Sequence, residues 1–195
     1  MQRLKVFVSD GRVAGLSAPP SPHSLTHRAD LLLRALLADL AAVPEVEALT
    51  MASADAAPDP RRSDPGLATC IEAADAVWPL ALESDGMLER LSRDVLRSRR
   101  VLLGCPPGAV RTASSKLGLA RALADGGVAV VATYSPHAVL PQLGGPWVVK
   151  PDDGAGCLHT RLFSDRAGAL AWIRARPADD YVLQPFVALI QAACR

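Results

Sequence analysis

The stretch "WVVKPDDGAGCLHT", residues 147–160, decides how the rest of the chain is read. An apolar run of the kind buried in a sheet ends at Lys150. Two acids then lead into a loop in which Ala155 stands between Gly154 and Gly156. With "CLHTRLF" following, the short glycine-containing turn predicts an antiparallel hairpin. Such a loop lets the backbone come close to a bound group and turn its N–H groups toward phosphate oxygens, with Lys150 supplying charge. Taken alone, the same residues equally describe an Asp153–Gly154 turn beside a lysine at an exposed strand end.

Composition limits what the stretch belongs to. The chain has 195 residues, half of them apolar, which is enough to bury one domain core or two small ones. Twenty-one basic residues against 20 acidic ones leave a formal charge of +1, so bulk charge favours neither nucleic acid nor an acidic membrane surface. Partners must come from sites. Cys70, Cys105, Cys157 and Cys194 are scattered without a C-x-x-C pair, and "MQRLKVFVSD" lacks a long apolar leader, which together predict a cytoplasmic protein. "LLLRALLADLAAV" is interrupted by Arg34 and Asp39 and is too short to span a bilayer.

Along the chain, strands alternate with helices, the pattern of a layered α/β fold with a largely parallel sheet. "LKVFVS" (4–9) predicts a buried strand, and 29–43 a helix with Leu32, Leu33, Leu36, Leu37 and Leu40 near the 3.6 period. "SAPPSPHS" and "SADAAPDPRRSDPG" (53–66) read as exposed connections. Strands are expected in "VEALTMA", in 74–82 with Pro79 at an end or bulge, and in "RVLLG". Between the last two lies a helix with Met87, Leu88, Leu91, Val95 and Leu96 on one side. After Gly104 the texture changes. A loop and one helix from about Thr112 to Ala124, closed by Gly126 and Gly127, precede the hairpin. A helix capped by Ser164 and a strand "DYVLQPFV" complete a small α+β unit. The expected boundaries are 1–108, 109–187 and an atypical tail, 188–195.

The order of three signals, Lys116 on a helix, Lys150 on a strand before a glycine loop, and then "YVLQPFV", resembles the ATP-grasp superfamily. "ALESDGMLERL" and "LLGCPPGAVRTASSK" extend the resemblance upstream, toward ligases similar to the tyramine/L-glutamate ligase of methanofuran biosynthesis. It covers roughly residues 4–187. The resemblance implies a Rossmann-like pre-ATP-grasp α/β layer followed by the first part of an ATP-grasp domain, an α+β lid. It also implies ATP as cofactor, with magnesium, and small-molecule carboxylate and amine substrates. Carried over residue by residue, Lys116 and Lys150 contact the ATP phosphates, and Asp153, Gly154, Ala155 and Gly156 form the lid. Gln184, Pro185, Phe186 and Val187 face the adenine. From composition alone, Lys116 is also a solvated helix residue and Gln184 an ordinary edge-strand residue.

Two departures stand out. The acid usual before the first lysine is Ser115 here, and "ALIQAACR" after Val187 carries no acidic and amide pair for magnesium, so the ending reads as a truncation or frameshift. The catalytic residues are then unassigned, and a second copy or a complementing chain is left to complete the site. The alternative is a nucleotide-binding or scaffolding module without chemistry of its own. His23, His27, His137 and His159 give no zinc spacing, and neither a nucleophile elbow nor a G-x-G-x-x-G motif is present. Glu83 and Asp85 sit where they line a crevice at the end of a parallel strand or cap the following helix.

Overall fold

The structure, a computed structural model, describes residues 3–10, 25–51, 65–81, 86–154, 156–176 and 180–188. The connection before residue 25, most of 53–66, Glu83, Asp85, Ala155 and the tail from residue 189 lie outside the described residues. Two compact units divide between Arg111 and Thr112.

The first unit is built on β1 (Leu4–Asp10), β2 (Val46–Thr50), β3 (Ala76–Leu80) and β4 (Val101–Leu102). They form one sheet in the order β2-β1-β3-β4, and every pairing is parallel. β1 lies inside that sheet with helices on both faces, which is why "VFV" is apolar without alternation. Val6 and Val8 pack on Leu33 of α1 (Leu25–Ala41), while Phe7 packs on Ile71 of α2 (Pro65–Ala73) and on Leu91 and Val95 of α3 (Met87–Arg97). Val6, Phe7 and Val8 are all buried.

Several expectations are corrected here. α2 is absent from the sequence reading, because Pro65 and Gly66 read as breakers; proline is acceptable in a first helical turn, where its missing N–H has no partner to lose. Pro79 lies within β3, not at an end or bulge. The Val77 carbonyl accepts from the Leu103 N–H at 2.8 Å, so residues 77 and 79 turn toward β4. Because β4 ends at Leu102, no ladder bond is asked of Pro79. On α3, Leu91 and Val95 are buried with Ser92, and Leu96 is exposed instead of belonging to the apolar side.

The expected single helix of 112–124 is two: α4 (Pro107–Ser114) and α5 (Lys116–Asp125). Ser115 breaks the run with an extended backbone (φ −90°, ψ 118°), and its Oγ accepts from the Gly118 N–H at 2.8 Å as the N-cap of α5. Gly126 is the C-cap, and Gly127 follows with φ +77°.

The second unit carries β5 (Trp147–Pro151), β6 (Arg161–Phe163) and β7 (Tyr181–Pro185), an antiparallel sheet in the order β6-β5-β7. Residues 152–160 join β5 to β6, and Cys157–Thr160 are turn and coil, so the second hairpin strand is shorter than "CLHTRLF" predicts. α6 (Arg166–Arg174) is capped by Asp165, not Ser164: Asp165 Oδ1 accepts from the Gly168 N–H at 2.8 Å. Trp147, Val149, Tyr181 and Leu183 pack on Ala169 and Ile173 of α6. Tyr134 extends the sheet by one residue, exchanging two 2.9 Å backbone bonds with Leu183 on the outer edge of β7.

Candidate functional site

Alternation along a strand sends neighbouring side chains to opposite faces. With Trp147, Val149, Tyr181 and Leu183 committed to α6, the other face of β5 and β7 presents Val148, Lys150, Val182 and Gln184. Val148 pairs with Gln184 and Lys150 with Val182. The second lysine of the sequence pattern and the first residue of "QPFV" therefore share one sheet face.

Lys116, the first residue of α5, comes to the end of β5 by way of the backbone. Its N–H donates to the Asp152 carbonyl at 2.9 Å. Its Nζ reaches three carbonyls, those of Asp152 (3.3 Å), Asp153 (2.8 Å) and Gly154 (3.1 Å). An ammonium has three N–H donors, so these carbonyls engage all of them. Burial pushes the Lys116 pKa below the usual lysine value, and Lys150 adds to that; Asp152, Asp153 and Cys157 oppose it. The two lysines are close enough for their charges to act on each other.

Lysine is rare in this chain. Of the 21 basic residues only three, Lys5, Lys116 and Lys150, are lysines and the other 18 are arginines. Where nearly every cation is arginine, two of three lysines meeting at one loop is a signal that motif reading alone passed over. A lysine ammonium is a compact point charge with freely rotating donors, suited to a phosphate group.

The loop beside them turns through the left-handed region at several residues. Gly154 and Gly156 have φ of +79° and +74°, and Cys157 and His159 both have φ of +57°. A Cβ at Gly154 would meet nothing within 4 Å, so glycine is there for its dihedral angle and not for space. Asp152 is the residue that motif reading missed. Its Oδ1 accepts from the Leu117 N–H at 2.8 Å and its Oδ2 from the Ser115 hydroxyl at 2.7 Å. A carboxylate thus lies against Ser115, although none stands at position 115 itself.

At the far end of β7, Gln184 Nε2 donates to Thr133 Oγ1 at 2.8 Å. Pro185 is half-buried, while Phe186 and Val187 are 46% and 58% exposed. The Phe186 N–H is committed to the Pro146 carbonyl at 2.9 Å. A cavity of about 480 Å³ opens elsewhere, at the start of β7, lined by Ser135, His137, Asp152, Arg174 and Tyr181 among others. Neither lysine lines it, although Asp152 and Val182 do. Among the described residues no group of three or more His, Cys, Asp or Glu side chains is placed to hold a metal ion. No helix among them is long and apolar enough to cross a membrane.

Residues 36–110 match a domain family described as the pre ATP-grasp 3 domain. No curated protein matches the chain. Among solved structures, an ATP-grasp superfamily protein from Archaeoglobus fulgidus is 20% identical with a TM-score of 0.64, over 95% of this chain and 54% of that one. D-alanyl-alanine synthetase A from Vibrio cholerae is 14% identical with a TM-score of 0.68, over 97% and 60%. The N5-carboxyaminoimidazole synthetase from Staphylococcus aureus, complexed with ADP, is 11% identical with a TM-score of 0.66, over 97% and 49%. The chain spans half to three fifths of the length of these proteins. Its mixed α/β fold, a parallel layer followed by an antiparallel α+β unit, is the fold of the pre-ATP-grasp and ATP-grasp proteins it matches.

Proposed function

We propose that the unit beginning at Thr112 binds the polyphosphate of ATP, and that the chain serves an ATP-dependent carboxylate–amine ligase. In that reaction the γ-phosphoryl group passes to a carboxylate oxygen, giving an acyl phosphate and ADP. An amine nitrogen then attacks the acyl carbon and phosphate leaves. The observation that carries this reading is the meeting of Lys116 and Lys150, two of only three lysines, beside a loop with positive φ at Gly154, Gly156, Cys157 and His159. Two ammonium groups suit a polyanion, a glycine loop lets backbone N–H groups turn toward it, and exclusion of water would strengthen each contact. Phe186 and Val187 offer exposed apolar surface for an adenine ring at the end of β7.

The residues described do not fit a magnesium site, since no three of their His, Cys, Asp or Glu side chains are grouped to hold a metal ion. The solved structures of similar fold include a D-alanine–D-alanine ligase and two synthetases, which supports the same reaction class. An acid of the glutamate type with an amine such as tyramine is the finer form of the proposal.

Calorimetry with a nonhydrolysable ATP analogue tests the binding step. The wild-type chain should bind, and Lys150→Ala should lose about 1.5–3 kcal/mol, the worth of a hydrogen bond to a charged group. Equal affinity for the two proteins would return Lys150 to the role of a solvated strand residue. ADP release that requires both an acid and an amine would establish the ligase; binding without turnover across a panel of both would favour a nucleotide-binding module.

A further inference from the structure

We propose that Asp152 is the positioning residue of this site, seating Lys116 at the head of α5 so that its ammonium lies ready beside Lys150. The inference rests on reading the two lysines as phosphate ligands.

Asp152 uses nearly every polar atom it has for this purpose. Its two carboxylate oxygens hold the Leu117 N–H and the Ser115 hydroxyl, on either side of Lys116. Its carbonyl takes both the N–H (2.9 Å) and the Nζ (3.3 Å) of Lys116. Its own N–H donates to the Asp180 carbonyl at 2.8 Å, which carries the β5–β7 ladder one step past Pro151. A residue that merely capped a helix would need one carboxylate oxygen. Here the helix start, the lysine side chain and the sheet are fastened at one point.

The charge works in the same direction. The groups acting on the Lys116 ammonium are Asp152, Asp153 and Cys157, which favour its protonated form, and Lys150, which opposes it together with burial. Of the neighbours, Asp152 acts most strongly. Without that carboxylate, Lys116 would lose its proton at a lower pH, and an uncharged amine is a poor ligand for phosphate.

The donor count adds a second consequence. Three carbonyls engage the three N–H groups of the ammonium, so a phosphate oxygen can bind Lys116 only by displacing a carbonyl of residues 152–154. Phosphate binding and the backbone at Asp152 must then change together.

The full chain with isotope-labelled lysine offers a direct test, since it gives only three side-chain amine signals. In Asp152→Asn, the Lys116 signal should titrate at lower pH than in wild type. Affinity for the ATP analogue at neutral pH should fall about tenfold, as when a group that orients a ligand-holding residue is removed, and its decline with rising pH should begin earlier. An unmoved Lys116 titration, or unchanged affinity, in folded Asp152→Asn would overturn the proposal. Should that variant fail to fold, the wild-type protein decides. Inorganic tripolyphosphate should move the Lys116 signal and the amide signals of Asp152, Asp153 and Gly154 with one midpoint; movement of Lys116 with those amides still would refute the coupling. If Lys116→Met and Lys150→Met both leave analogue affinity unchanged, the phosphate reading itself falls. That failure is distinguishable, because the Lys116 titration needs no nucleotide.

Discussion

Lys116 is a cation held partly out of water, and its behaviour with pH follows from that. Its pKa is lowered in the folded chain, mainly by burial, relative to the unfolded chain. Between the two values the unfolded state binds more protons, so the contribution of this residue to stability rises with pH across that interval. Nucleotide binding runs the other way. It requires the ammonium, so affinity should be full below the Lys116 pKa and fall as pH rises through it, which calorimetry at a series of pH values would show. Gly154 makes a separate prediction. With φ at +79° and open space where a methyl group would sit, Gly154→Ala should cost on the order of 1–2 kcal/mol through backbone strain alone. Urea denaturation would measure it, and a larger loss would mean that the methyl group meets something. Lys150 was legible in the sequence because it ends an apolar strand. Asp152 was not, because its partners Ser115 and Leu117 lie about 35 positions away and only folding brings them together.

Elements were legible where one local signal prevailed and illegible where two conflicted. β1 was plain from "VFV", and α1 from its leucines. α2 hid behind Pro65 and Gly66, whose usual meaning is a break. The run from Thr112 to Ala124 read as one helix because alanine and leucine dominate it. The bond from the Ser115 hydroxyl to Asp152 helps hold that residue extended and divides the run. At α6 the sequence reading takes Ser164 as the cap, and the structure gives the work to Asp165. Asp165→Ala should therefore cost about 1 kcal/mol, within the 0.5–2 kcal/mol typical of a lost N-cap. Ser164→Ala should cost much less. The difference in urea midpoint between the two variants, at equal slope, is the measurement.

At the scale of the molecule, each unit has its own core. Phe7 lies at the centre of one, between α2 and α3. Trp147 anchors the other, where Trp172 stacks edge-on to Tyr181 at 5.1 Å and lies under the Arg176 guanidinium at 4.1 Å. Phe7→Ala should cost roughly 3–5 kcal/mol in the first unit, as large-to-small core changes do. A nucleotide analogue should stabilise the second unit, by about 2.7 kcal/mol at a hundred times its dissociation constant. Tryptophan fluorescence reports mainly on that second unit, since Trp147 and Trp172 lie there and only Trp78 in the first. The parallel first layer was legible from strand–helix alternation. The shared face of Lys150 and Gln184 was not, because it depends on the register of β5 against β7, which no local pattern specifies.

The scarcity of lysine has a kinetic consequence as well. A protease that cuts only on the amino side of lysine has three sites in this chain, and all three lysines lie in regular structure: Lys5 in β1, Lys116 at the first turn of α5 and Lys150 in the central strand β5. A strand paired on both sides cannot enter a protease cleft, so a cut before Lys150 must wait until β5 parts from β6 and β7, while Pro151 would block a cut on its other side. When reclosing is faster than cutting, the rate of that cut reports the population of the opened sheet. The molecule thus carries a gauge of its own opening at the residue proposed to hold phosphate, and a bound nucleotide should slow that gauge.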